Sequence, residues 1–167
     1  LGSLDSLWAS TRVPTAVEVI VVINASESHS DNVHQRNNET LVELQGWITQ
    51  HQDQKMRVHA IHHPRLPAKH AGVGLARKLG MDEAVARFVQ TGNKNGVIVG
   101  FDADCRCARD YLAQIESHFR NHRSTPGCSI HFEHPLTGKT NSMVDEGIAR
   151  YELYLRYYLL GLRYARF

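Results

Sequence analysis

The chain has 167 residues, of which 42% are apolar and 22% charged, the balance of a soluble globular protein with enough length for one cored domain. Nineteen Lys and Arg against seventeen Asp and Glu leave a formal charge of +2 with no separate basic stripe, which argues against a dedicated nucleic-acid binder. The longest apolar stretch, residues 19–23, is far too short to cross a bilayer, no signal-peptide pattern opens the sequence, and three cysteines are too few for a disulfide scaffold, so a cytoplasmic setting is expected.

In chain order, Val17-Glu18-Val19-Ile20-Val21-Val22-Ile23 is β-branched and nearly continuous, the pattern of a strand buried on both faces of a parallel sheet. A polar loop is expected over residues 24–36, after which Asn38-Glu39-Thr40 can cap a helix carrying Leu41, Leu44, Trp47 and Ile48 on one face. Residues 56–61 alternate as a second strand, and His62-His63-Pro64-Arg65-Leu66-Pro67 reads as a long loop leading to a helix over residues 72–88. In that helix Ala76, Gly80, Ala84 and Phe88 recur every four residues, a narrow stripe of small side chains that lets a helix lie close on a sheet. Gly96-Val97-Ile98-Val99-Gly100-Phe101 predicts a third strand ending at Asp102-Ala103-Asp104, followed by a helix over residues 108–118, a short strand over 128–132 and a Tyr-rich helix over 142–167. No repeat or linker breaks the sequence, so residues 1–167 read as one domain. Alternating strands and helices imply an α/β class with a wound, largely parallel sheet, whose ligands bind beyond the carboxyl ends of the strands.

Two of those strand ends carry polar residues, Asn24-Ala25-Ser26 and Asp102-Ala103-Asp104. A pair of aspartates one residue apart after a buried strand can offer oxygen ligands to Mg²⁺ or Mn²⁺, with substrate phosphates and water completing the shell. The same residues can instead cap a turn or the helix that follows. Arg77 and Lys78 lie in the opening turns of the helix after Gly72, where backbone N–H groups and a cation would together meet a phosphate. The other reading of these cations is a solvated helix face, and Gly72-Val73-Gly74 lacks the third glycine and the preceding strand of a dinucleotide fingerprint.

The order of these features resembles the family 2 glycosyltransferases, which have the GT-A fold. Residues 18–26, Glu-Val-Ile-Val-Val-Ile-Asn-Ala-Ser, are similar to the family's second strand and its Glu-Val-Ile-Val-Val-Asp-Asp-Gly-Ser turn. Residues 72–80, Gly-Val-Gly-Leu-Ala-Arg-Lys-Leu-Gly, are similar to its Gly-x-x-x-Ala-Arg-Asn-x-Gly helix, and residues 97–104 to its strand ending in Asp-x-Asp. Leu4-Asp5-Ser6-Leu7 with Pro14 resembles the end of the first helix and its turn. The resemblance implies a nucleotide-sugar-dependent, inverting transferase that moves a sugar from a UDP-type or GDP-type donor to a hydroxyl of a carbohydrate or lipid-linked acceptor. It implies Asp104 as the ligand of a Mn²⁺ or Mg²⁺ that bridges the donor diphosphate, Asp102 on the ribose or the same metal, Asn24 and Ser26 in the base-contacting turn, and Arg77 facing the nucleotide. Ile23 and Asn24 stand where the family has two aspartates, and Lys78 where it has asparagine. An amide both accepts and donates, which leaves the base open. The resemblance also places the family's first strand before Leu1 and its general base beyond Phe167, so the chain reads as the middle of a longer domain with no catalytic base to assign. The alternatives are a non-catalytic GT-A-like binding domain, which Ile23 and Asn24 would suit, and a sugar-phosphate nucleotidyltransferase, whose N-terminal glycine-rich loop is not in this sequence.

Eleven histidines invite a zinc site, but no thiolate pair or helical His motif accompanies them, and they read as scattered surface or hydrogen-bonding residues. Cys105 and Cys107 flank the Asp-x-Asp turn without an activating base and read as packing residues. The C-terminal helix mixes tyrosine, leucine and arginine over more than one face, which suits a core or acceptor-side helix and, alternatively, peripheral contact at the inner face of a membrane.

Overall fold

The computed structural model describes residues 1–134 and 142–166, and the chain divides into two compact units, Leu1–Arg123 and Ser124–Phe167. The first holds helix α1 (Gly2–Trp8), strand β1 (Val17–Ser26), helix α2 (Asp31–Gln50), strand β2 (Met56–Leu66), helix α3 (Val73–Thr91) and helix α4 (Tyr111–Asn121). The second holds helix α5 (Ser142–Tyr164). The chain is thus mixed α/β, with a two-stranded parallel sheet among the described residues.

Strands β1 and β2 pair from Val17 opposite Met56 to Asn24 opposite His63, and the register then slips so that Ser26 meets Leu66. Pro64 sits in the slip, where a residue without an N–H costs no ladder bond. The continuous apolar run of β1 is covered on both sides, as its pattern predicts. Val19, Val21 and Ile23 face a core made with Leu4, Leu44, Trp47 and Val58, and Leu41, Ile48 and Trp8 pack around it. On the other face α3 lies on β1 at Gly80, where a Cβ would come within 3.3 Å of a Val22 methyl, so the small-residue stripe does allow the close approach.

Polar contacts lock the end of this core. The Trp47 indole donates to Asp5 at 2.7 Å, its ring stacks on His51 at 3.9 Å and meets Trp8 edge-on at 5.4 Å. Arg12 lies 4.4 Å over the Trp8 ring, donates to the Trp8 carbonyl at 2.6 Å and pairs with Asp53 at 2.7 Å. The Arg12 hydrogen bond and the Lys55 N–H hold the Asp53 carboxyl below the usual carboxylate range, so the turn between α2 and β2 is tied to the end of α1.

Four boundaries differ from the sequence reading. Helix α2 begins at Asp31 rather than near residue 38, because extended Ser30 and the acidic Asp31 at the dipole's positive end start a helix whose polar first turns need no apolar face. Strand β2 continues through His62, His63 and Pro64 to Leu66, where a loop was expected, since pairing with β1 satisfies the backbone of a polar segment. Helix α4 starts at Tyr111, after a turn in which the Tyr111 N–H reaches the Ala108 carbonyl.

The fourth concerns the expected strands at residues 96–101 and 128–132, which pair with no other strand among the described residues. Residues 96–102 nevertheless run along α3 in the opposite direction. Gly96 lies against the Phe88 ring, which a Cβ there would overlap, and Asp102 pairs with Arg77. Val97, Ile98 and Val99 of this segment remain 39%, 40% and 38% exposed because no strand edge covers them.

In the second unit, residues 131–134 are held on α5. His134 donates from its backbone and meets Glu152 with Nδ1, at 2.7 and 2.8 Å, and these bonds hold the Glu152 carboxyl below its usual range.

Candidate functional site

The candidate residues lie on three segments of the first unit, and the fold joins them in pairs. Asn24, near the carboxyl end of β1, donates from its side-chain amide to the Ala71 carbonyl at 3.2 Å, one residue before the Gly72 cap of α3. The Asn37 amide in turn donates to the Asn24 carbonyl at 3.0 Å. Asn24 therefore braces the end of β1 against the start of α3, with its amide oxygen left to accept.

Five residues into α3, Arg77 reaches the Asp102 carboxylate at 2.5 Å, a pair whose two side chains are 54% and 56% exposed. Asp102-Ala103-Asp104-Cys105 forms a β-turn closed by the Cys105 N–H on the Asp102 carbonyl at 3.0 Å. The Ser3 hydroxyl of α1 donates to the Ala103 carbonyl, and Cys107 sits 3.5 Å from the Ser10 hydroxyl while its N–H donates to Ser6 at 3.2 Å. The turn is thus pinned from two sides, by α3 through Arg77 and by α1 through its serines. These serines, and Asn37, were missed by the sequence reading; they lie up to 101 positions from their partners, and nothing in local spacing points to them.

Asp104 stands exposed in that turn, accepting a weak hydrogen bond from the Cys105 thiol. Cys105, read from the sequence as a packing residue, is exposed, and partial desolvation with the carboxylates of Asp104 and Asp102 pushes its thiol up. Burial, with the two thiols nearby, likewise raises Tyr111, whose ring packs 5.7 Å from Phe101 at the base of the turn. Ser26 is placed differently from the rest. It is 3% exposed, and its hydroxyl meets the Ser28 hydroxyl at 2.8 Å and accepts from the Ser28 N–H, so it shapes the turn after β1 rather than offering itself to a ligand.

Among the described residues no three His, Cys, Asp or Glu side chains come together as a metal cage. A separate open groove of about 710 Å³ lies along β2 and α3, lined by His59, His63, Asp82, Glu83 and Arg87, and contains none of the predicted site residues. Its Arg87 is paired with Glu83 one turn away on α3 at 2.8 Å and with Glu18 of β1 at 3.4 Å, and its Asp82 with Lys78. Comparison of the chain with family models, with curated proteins and with solved structures finds no match.

Proposed function

We propose that the chain forms the nucleotide-binding part of a GT-A-like, inverting glycosyltransferase that transfers a sugar from a nucleoside diphosphate donor to an acceptor hydroxyl. One observation carries the reading. Residues 24, 71–77 and 102–105 are scattered through the sequence, yet Asn24 is bonded to the start of α3 and Arg77 on α3 to the Asp-x-Asp turn. The start of α3 beside the carboxyl end of β1, a guanidinium and an aspartate turn are groups that a nucleoside diphosphate would need.

The carboxylates suit Mn²⁺ or Mg²⁺ only as half of a site. Asp104 offers an exposed carboxylate, Asp102 shares its own with Arg77, and a hard cation bound through one or two carboxylates completes its shell with phosphate oxygens and water. Held there, such a cation would neutralise charge developing on the departing diphosphate. Arg77 would carry the same task from the α3 side by turning from Asp102 toward a phosphate, since an exposed ion pair is worth only about 0.2–1 kcal/mol and is readily exchanged. Asn24 would hold the loop before α3 in place and present its amide oxygen to a ring N–H of the base. The acceptor would be a carbohydrate or a lipid-linked sugar.

A specific feature favours a second reading, a non-catalytic binding domain of the same architecture. Ile23, where the resembling family has an aspartate, is 7% exposed within the apolar core, and the Asn24 amide nitrogen is used in a brace to Ala71. Both readings expect nucleotide binding; only the enzyme expects metal to strengthen it. Calorimetric titration with UDP and with GDP, in Mn²⁺ and in chelator, is expected to show tighter binding with the metal by about tenfold or more for one of the two, a difference near 1.4 kcal/mol. Equal affinity with and without metal would favour the binding domain, and no heat with either nucleotide would refute both.

A further inference from the structure

We infer that the C-terminal half of α5 docks on an anionic lipid surface. Leu153, Tyr157, Leu160 and Tyr164 follow at spacings of four, three and four, which places them on one stripe of the helix, and they are 66%, 78%, 62% and 93% exposed. Their neighbours around the helix on one side are Arg156 and Arg163, seven residues apart and so vertically aligned along the edge of the stripe. Leu155 and Leu162, on another face, are more covered, so the stripe is not the side that α5 turns toward its own unit.

Charge decides the partner. Residues 153–166 contain three arginines and no carboxylate, while the acidic side chains of the helix, Asp145, Glu146 and Glu152, all lie in its first half. Arg156 is paired with Glu152 at 3.5 Å and with Glu133 at 3.8 Å, so the uncompensated positive charge of this half lies at Arg163 and Arg166. Leucine and tyrosine with flanking arginine is the composition of a helix lying in the headgroup layer, where tyrosine hydroxyls stay wet, leucines enter the acyl boundary and guanidinium groups reach phosphates. Among the described residues no helix is long and apolar enough to cross a membrane, so α5 would lie on the surface rather than span it.

The test is co-sedimentation of the 167-residue chain with vesicles of pure phosphatidylcholine and of phosphatidylcholine mixed with phosphatidylserine. Binding is expected to need the anionic lipid and to weaken with added salt. The double variant Arg163→Glu with Arg166→Glu should lower partitioning by roughly tenfold or more, since each cation near such a surface contributes about 1 kcal/mol. Tyr157→Ser with Leu160→Ser should weaken it as well while the helix content seen by circular dichroism is kept, because both positions are exposed. No binding, or equal binding to neutral and anionic vesicles, would overturn the inference. So would a concentration-dependent dimer abolished by the serine variant, which would assign the stripe to a second copy of the chain.

Discussion

Replacing Trp47 by alanine is expected to remove a large share of the stability of the first unit. Trp47 is 6% exposed, fills the core beside Leu44 and joins α1, α2 and His51 through one ring and one N–H. Truncating a buried aromatic of this size costs about 3–5 kcal/mol, against a typical total of about 5–15 kcal/mol for a domain. It would also leave Asp5 without the indole N–H. Trp47→Phe separates the two effects, since it keeps most of the ring and loses the hydrogen bond, at about 1–2 kcal/mol. Urea unfolding followed by far-ultraviolet circular dichroism measures both, and a Trp47→Ala midpoint equal to the parent's would contradict the described core.

Asp104→Ala is expected to do the opposite: to abolish the metal-dependent part of nucleotide binding, tenfold or more in affinity, while the unfolding midpoint moves by no more than a surface substitution allows, within about 0.5 kcal/mol. The turn that carries Asp104 is closed by backbone and serine contacts that do not use its carboxylate. Calorimetry and thermal melting of the same variant check the two halves. A large loss of stability would mean that Asp104 acts as a structural cap, and an unchanged metal effect would remove it from the site.

What the sequence made legible was set by burial. Strand β1 could be read because both of its faces are covered, which leaves an unbroken apolar run, and the stripe through Gly80 could be read because α3 must approach that strand closely. The first turns of α2 and the end of β2 could not, since residues 31–38 and the His-His-Pro-Arg stretch carry no apolar period. There the backbone's own hydrogen bonds decide the structure, by helix formation in one case and by pairing with β1 in the other. Residues 96–101 were expected as a third strand, but an apolar pattern does not name the neighbour a strand pairs with, and among the described residues this segment pairs with none.

The candidate site was legible in composition and only partly in arrangement. That Arg77 and Asp102 would pair across 25 positions follows from α3 lying along the 96–102 segment, which no spacing rule encodes. The roles of Asn24 and Ser26 were the least legible. Short polar side chains at a strand end serve a ligand or the backbone equally well, and here Asn24 bonds the Ala71 carbonyl while Ser26 closes its own turn.

The central claim is that Asn24, the start of α3 and the Asp-x-Asp turn form one nucleotide site. Hydrogen exchange of the full 167-residue chain, with and without saturating UDP or GDP plus Mn²⁺, tests it most directly. Protection is expected to appear together in residues 24–30, 71–78 and 102–107 for the nucleotide that binds. Protection confined to the groove along β2 and α3, around His59, Glu83 and Arg87, would contradict it, as would no change at all.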